Sequence, residues 1–248
     1  MMDIVGAVAL VTGATGGIGR SLVSTLLEAG ARKIIACDLD EAALGEIKRS
    51  APGRCETHAF DVTDEQAVQR VAAACGDVSL LINCHGLVIH ESYLEAAGVA
   101  GFRKEMEVNY WGQVLMCRAF APIVGKNGGG AIANFLSPLA LATHPFCGNY
   151  CASKAACRAL TDAMRAELAE QGTLVVSIFP GAIDTQMMTK LDMPKSQPAE
   201  VAAGVVAAII AGDTECWVGE TAPEFRDQWR IDPAPLVAAA AKYLRLPK

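Results

Sequence analysis

The sequence predicts a doubly wound α/β fold, with one parallel sheet of about seven strands and helices on both faces. Three observations carry that expectation. Short apolar runs, partly β-branched, alternate with longer amphipathic runs along most of the chain. A glycine-rich turn joins the first apolar run to the first helical one. Polar residues (Asp38, Asp61, Asn83 and Ser137) recur where strands end, the edge at which such sheets bind ligands. The 248 residues are ample for one core. They read as a single domain over residues 1–248, with a short separate segment near 182–197 and a C-terminal tail at 220–248.

Ala7 to Val11 reads as a buried parallel strand. Thr12-Gly13-Ala14-Thr15-Gly16-Gly17-Ile18-Gly19 follows, then a helical run from Arg20 to Ala29 closed by Gly30. In that context glycines let the backbone approach a pyrophosphate, which free N–H groups and the helix dipole then hold. The spacing is G-x-x-x-G-x-G rather than G-x-G-x-x-G. Lys33 to Cys37 is the second strand, and Asp38 ends it. A carboxylate about 20 residues past the glycine turn suits a ribose 2′-hydroxyl and repels a 2′-phosphate. No basic residue stands just before Gly17, and Leu39 follows Asp38, so NAD is expected over NADP.

The alternation continues with a helix from Glu41 to Ser50, a Pro52-Gly53 turn and a strand from Cys55 to Phe60 ending at Asp61-Val62-Thr63. Asp64 is placed to cap a helix from Glu65 to Cys75. A fourth strand, Val78 to Ile82, ends at Asn83-Cys84-His85-Gly86. Val99 to Val124 reads as one long helix carrying Asn109 and Trp111, broken at Asn127-Gly128-Gly129-Gly130. Ala131 to Leu136 is the fifth strand, with Ser137 and Pro138 at its end. The next helix carries Tyr150 and Lys154 near its start and runs to Gln171, where Gly172 stops it. A sixth strand (Thr173 to Phe179), a helix (Pro198 to Ala211) and a seventh strand (Cys216 to Val218) follow. The tail ends in an alanine-rich helix to Leu244.

Tyr150 and Lys154, four apart, share one face of their helix. A phenol ionises near pH 10, and bringing it to neutral pH requires about 4 kcal/mol of preference for the phenolate. One ammonium at about 4 Å, in an effective dielectric of about 20, supplies roughly that much. The pair is therefore suited to general acid–base chemistry, with an ordinary helix turn as the alternative.

The net charge of −6 and pI near 5.3 argue against a nucleic-acid or acidic-membrane partner. No apolar run reaches the length of a membrane span, and the Met-Met-Asp start lacks the basic region of a signal peptide. Nine cysteines without a C-x-x-C pair read as reduced thiols of a cytoplasmic protein. Cys147, Cys151 and Cys157 surround Tyr150 with His144 nearby, but match no zinc spacing. They are read as packing residues, and no metal is expected.

The ordered set T-G-x-x-x-G-I-G, Asp38, N-x-x-G after the fourth strand, V-N-Y-W-G, Ser137, Y-x-x-x-K and Pro180-Gly181 resembles the short-chain dehydrogenase/reductase family. The match spans about Ala7 to Gly219, in the family's single-domain branch of Rossmann-fold enzymes. The resemblance implies Tyr150 as acid–base and Lys154 as the group that lowers its pKa and binds the nicotinamide ribose. Ser137 would orient the substrate oxygen, and Asn109 would hold a water relaying protons to Lys154. Gly13, Gly17, Ile18 and Gly19 would line the pyrophosphate, and Asp38 the adenosine ribose. Asp61 and Val62 would flank adenine, and Asn83 and Gly86 the turn beside the cofactor. Pro180, Gly181 and Thr185 would meet the nicotinamide end. Two departures stand out: His85 before the glycine of the turn, where a small residue is usual, and Pro138 after the serine.

Gln186 to Gln197, with Met187, Met188, Leu191 and Met193, falls where the family carries its substrate lid. Together with Leu139, Leu141 and Phe146, this implies an apolar, aromatic or alicyclic alcohol or ketone as substrate. His144 is a further candidate to face the substrate, with a solvated loop position as the alternative. Packing among these residues or against another subunit is the alternative, and a homodimer or homotetramer is expected by analogy. The functional expectation is NAD-dependent hydride transfer on a secondary alcohol or ketone. The alternatives are a non-catalytic NAD-binding regulator, or an epimerase or dehydratase that retains its nicotinamide.

Overall fold

A computed structural model of the chain describes residues 2–189 and 193–241. Seven parallel strands form one sheet in the order β3-β2-β1-β4-β5-β6-β7. They are β1 (Val8–Thr12), β2 (Lys33–Asp38), β3 (Cys55–Ala59), β4 (Leu80–Asn83), β5 (Ala131–Phe135), β6 (Leu174–Pro180) and β7 (Glu215–Val218). Between them run α1 (Gly17–Glu28), α2 (Glu41–Ser50), α3 (Glu65–Ala74), α4 (Ala100–Met106), α5 (Gly112–Lys126), α6 (Gly148–Glu167) and α7 (Pro198–Ala211). Two helices, α8 (Ala222–Ile231) and α9 (Ala234–Ala241), follow β7.

Successive strand residues face opposite sides, and the core divides accordingly. Ala9 and Val11 pack with Leu22 and Leu26 of α1 and Val201, Val205 and Ile209 of α7. Val8 and Leu10 pack with Val68 of α3, Met116 and Phe120 of α5 and Met164 of α6. Strands buried on both faces are apolar throughout, as β1 is. Because the strands are parallel, their carboxyl ends share one edge, and Thr12, Asp38, Asn83, Phe135 and Pro180 all lie there. Asp40 and Asp64 accept backbone N–H bonds at the starts of α2 and α3.

Several boundaries differ from the sequence expectation. The first helix begins at Gly17, not Arg20, so the glycine turn is partly helical. The fourth strand runs Leu80–Asn83 instead of Val78 to Ile82, because Ser79 and Val8 exchange bonds ahead of it. The long helix is interrupted by a π-helical segment, Glu107–Trp111, that holds Asn109, and it continues to Lys126. A π segment inserts one extra residue per turn and often marks a functional site. The helix after Tyr150 stops at Glu167, four residues before Gln171. Gln171 turns away instead, donating to Ala121 O and Thr173 Oγ1, and Gly172 takes φ +73°. The tail carries α8, which periodicity did not reveal, and then α9. Leu191 of the lid, and the end of the expected tail helix at Leu244, lie outside the described residues. No helix among the described residues is long and apolar enough to cross a membrane.

Candidate active site

The glycine turn is built for close approach. Gly13 takes φ +65°, and a Cβ there would stand 2.9 Å from the Cys84 carbonyl and the His85 backbone. A Cβ on Gly19 would stand 2.7 Å from Ala14 Cα. One on Gly17 would come within 3.1 Å of Thr185 Cγ2, so that glycine keeps open the slot between the turn and the segment after β6. Ile18 lies at the start of α1, packed partly against the core.

Asp38 closes one end of this slot. Its Oδ2 accepts from Thr15 N (2.9 Å) and Thr15 Oγ1 (2.7 Å), and its Oδ1 from Leu39 N (2.7 Å). Asp61 sits past β3. Burial pushes its carboxyl up, but bonds from Thr63 N and Oγ1 and the nearby Lys104 hold it below the usual range. Val62 faces Gly112, where a Cβ would meet it at 2.8 Å.

Toward the other end, Tyr150, Lys154 and Ser137 converge. Lys154 is 3% exposed and donates from Nζ to Phe135 O at 2.7 Å. Its ammonium lies 5.8 Å from the Tyr150 ring centre. Ser137 Oγ accepts from Leu139 N at 3.1 Å, which leaves the hydroxyl proton to point elsewhere, and its hydroxyl favours the ionised form of the nearby Tyr150 phenol. Pro138 sets the short turn after the serine and is buried. The phenol's pKa corrects the sequence expectation. Burial is the largest influence and raises it, the Ser137 hydroxyl lowers it, and the net direction is up. Burial also lowers the Lys154 ammonium, with the Cys157 and Cys84 sulfurs opposing.

Asn109 anchors this cluster. Its Oδ1 accepts from Leu87 N (2.7 Å), and its Nδ2 donates to Leu87 O (2.8 Å) and Ser153 Oγ (2.9 Å). Ser153 in turn donates to Tyr150 O at 2.7 Å. The Asn109 carbonyl accepts from Cys157 Sγ at 3.0 Å. A Cβ on Gly86 would stand 3.6 Å from both Asn109 Oδ1 and Lys154 Nζ. Gly86 therefore floors the gap between them. Asn83 points beneath the sheet edge, donating to Asn134 Oδ1 (2.9 Å) and Cys117 Sγ (3.3 Å).

A short chain dehydrogenase model matches residues 7–196. The chain belongs to the short-chain dehydrogenase/reductase family. It is 31% identical over 211 residues to 2,5-dichloro-2,5-cyclohexadiene-1,4-diol dehydrogenase LinX of Sphingobium indicum, covering 81% of this chain and 83% of that one. It is 34% identical over 192 residues to mouse (Mus musculus) dehydrogenase/reductase SDR family member 7B, covering 73% and 59%. A solved short chain dehydrogenase from Burkholderia cenocepacia J2315, in complex with NADP, is 40% identical with a TM-score of 0.90, covering 96% of this chain and 99% of that one. The 3-ketoacyl-(acyl-carrier-protein) reductase of Brucella melitensis, complexed with NADH, is 25% identical with a TM-score of 0.79, covering 86% and 96%.

The slot fits the nicotinamide dinucleotide that short-chain dehydrogenases use. Its floor is glycine wherever a Cβ would collide, and Asp38 faces it from one end. Pro180 ends β6, Gly181 donates to Val218 O, and Thr185 lines the slot opposite Gly17. Leu139, His144 and Phe146 lie on the turns between β5 and α6, and the His144 and Phe146 rings are 5.6 Å apart. Met187 (42% exposed) and Met188 form a single turn after β6. The three thiols near Tyr150 are buried.

Sequence reasoning missed several contributors. Ser153 was legible, since a hydroxyl three residues after Tyr150 on a helix reaches its carbonyl. Glu105 was not. Fully buried, it accepts from Ile89 N and from Asn149 Nδ2 (2.6 Å), tying the loop after β4 to the helix of Tyr150. Burial raises its carboxyl above the usual range. The His85 ring packs as a structural histidine of the turn after β4. Its Nδ1 meets Thr12 Oγ1 at 2.7 Å, and its Nε2 is shielded from solvent against the π segment and Gly112.

Proposed function

We propose that this oxidoreductase transfers hydride between NAD(H) and an apolar secondary alcohol or ketone, with Tyr150 as the general acid–base. The observation that carries the reading is the convergence of Ser137, Tyr150 and Lys154 at the strand ends beside the glycine slot. When bound, the nicotinamide accepts or donates the hydride. In the reducing direction the Tyr150 phenol, neutral at pH 7 as phenols are and held further in that form by burial, gives its proton to the developing alkoxide. In oxidation Tyr150 takes the alcohol proton. Ser137, with its lone pair occupied by Leu139 N, directs its hydroxyl proton toward the substrate oxygen or the phenolate. Lys154 holds positive charge beside the ring and reaches the ribose side past Gly86. Asn109 fixes the backbone around that lysine and supports a proton path to it.

NAD follows from Asp38, whose carboxylate opposes a 2′-phosphate. NADP is the second reading, favoured by the relative from Burkholderia cenocepacia bound to it. Arg20 supports it too: its Nε donates at 3.0 Å to the carbonyl of Thr15, the residue whose N–H and hydroxyl bond Asp38, while Glu46 pairs with its guanidinium. The methionine turn, Leu139 and Phe146 support an apolar substrate, and nine unpaired thiols fit the reducing cytoplasm. The exposed Leu94, Val99 and Trp111 support assembly into a homodimer or homotetramer. The test is reduced-cofactor absorbance with NAD and with NADP over a panel of alicyclic and aromatic secondary alcohols. Turnover with NAD supports the reading, a preference for NADP overturns the Asp38 argument, and binding without turnover on any alcohol or ketone favours a regulator.

A further inference from the structure

We propose that Glu56, His58 and Cys75 form a binding site for a zinc-class divalent ion, separate from the dehydrogenase site. The strand β3 is the sheet edge, and its alternation places Glu56 and His58 on one face. Cys75 caps the end of α3 and comes down on that same face. His58 Nε2 lies 2.8 Å from Glu56 Oε1 and 3.6 Å from Cys75 Sγ. The three donor atoms all lie within 4.8 Å of one another. Zinc bonds of about 2.0 Å to nitrogen and 2.3 Å to sulfur at a tetrahedral angle separate those donors by about 3.5 Å. The histidine–thiol edge already has that length. Nitrogen and oxygen ligands need about 3.3 Å, so Glu56 has to draw back by about 0.5 Å. Its side chain is 41% exposed and free to do so.

The donor set also selects the ion. One thiolate, one imidazole and one carboxylate suit zinc or cobalt over calcium or magnesium. Burial pushes the Cys75 thiol up to about 11, so the thiol is protonated until the ion binds and releases that proton to solvent. Lys33 is the competing cation, 3.5 Å from Glu56 Oε2 and 3.1 Å from Asp77 Oδ2. An ion taking Glu56 leaves Lys33 with Asp77. A cleft of about 220 Å³, lined by His58, Phe60, Arg70 and Val71 among others, opens beside the histidine. It opens the histidine side of the cluster to solvent. The sequence concealed this site because E-x-H lies 17 residues from Cys75, and only the crossing of β3 by α3 joins them.

The test is titration of tag-free, chelator-stripped, reduced protein with Co²⁺, then displacement by Zn²⁺. One equivalent of Co²⁺ with a thiolate charge-transfer band supports the site. The band disappears in Cys75→Ser and weakens in His58→Ala and Glu56→Gln. It persists in the double variant Cys147→Ser/Cys151→Ser, which removes the other close thiol pair. Zinc at a hundredfold excess over its Kd raises the wild-type Tm by roughly 5–10 °C and leaves Cys75→Ser unchanged. Circular dichroism and the metal-free Tm of each variant establish that it folds. A band that survives in folded Cys75→Ser, or no binding in the wild type, overturns the proposal.

Discussion

Replacing His85 with glutamine should flatten the acid side of the stability curve. The imidazole is held at the junction of β1, the turn after β4 and the π segment, with Nδ1 on the Thr12 hydroxyl and no solvent at Nε2. Burial pulls its pKa down to about 3, Lys154 adds to that, and Asp38, the Val108 backbone and Asp61 oppose it. The unfolded chain protonates this histidine near pH 6.5. A depressed folded pKa means the contribution is intact above about 6.5 and is lost as pH falls toward about 3. At pH 5 the unfolded state has bound the proton and the folded state has not, a destabilisation of about 2 kcal/mol from this residue alone. Glutamine carries no such proton. Urea unfolding of wild type and His85→Gln at pH 7.5 and pH 5.0 measures the double difference. The stability gap should shift by about 2 kcal/mol in the variant's favour at the lower pH. A gap constant within about 0.5 kcal/mol would show that His85 protonates in place, and would refute the buried, neutral assignment.

Three further outcomes follow from the site. Gly19→Ala forces a Cβ against Ala14 Cα and should lower stability by about 1–3 kcal/mol, read as a Tm fall of roughly 3–10 °C, along with weaker dinucleotide binding. Asp38→Ser removes the carboxylate that faces the slot and should shift the NADP-to-NAD ratio of kcat/KM by about tenfold or more toward NADP, measured with both cofactors on one substrate. Because burial raises the Tyr150 phenol, ketone reduction should stay level through neutral pH while alcohol oxidation climbs with pH. Paired pH–rate profiles check this, and an oxidation rate that is flat from pH 6 to 10 contradicts it.

The sheet was legible because its strands are buried on both faces and read as plain apolar runs, as β1 and β2 do. Helix ends were less so. Gly172 marked a turn but not the true end of α6, since the bond of Gln171 to Ala121 O is tertiary. The π segment is likewise invisible to periodicity, because the clamp of Asn109 on Leu87 and Ser153 joins residues far apart in the chain. Spacing placed Tyr150 and Lys154 on one face, but not the depth at which the phenol lies. That depth decides the sign of its shift. The donors Glu56, His58 and Cys75 could be paired only once the chain order of strand and helix became a contact.

The most direct test of the central claim is a single-turnover measurement of hydride transfer in wild type and Tyr150→Phe. It uses saturating reduced cofactor and the best ketone from the panel, with cofactor affinity measured alongside. The phenylalanine keeps the ring and loses only the proton. Hydride transfer should fall by about 10²–10⁴-fold, with cofactor affinity held within a few-fold. Hydride transfer at the wild-type rate, with the cofactor still bound, would place the acid elsewhere and contradict the assignment of Tyr150.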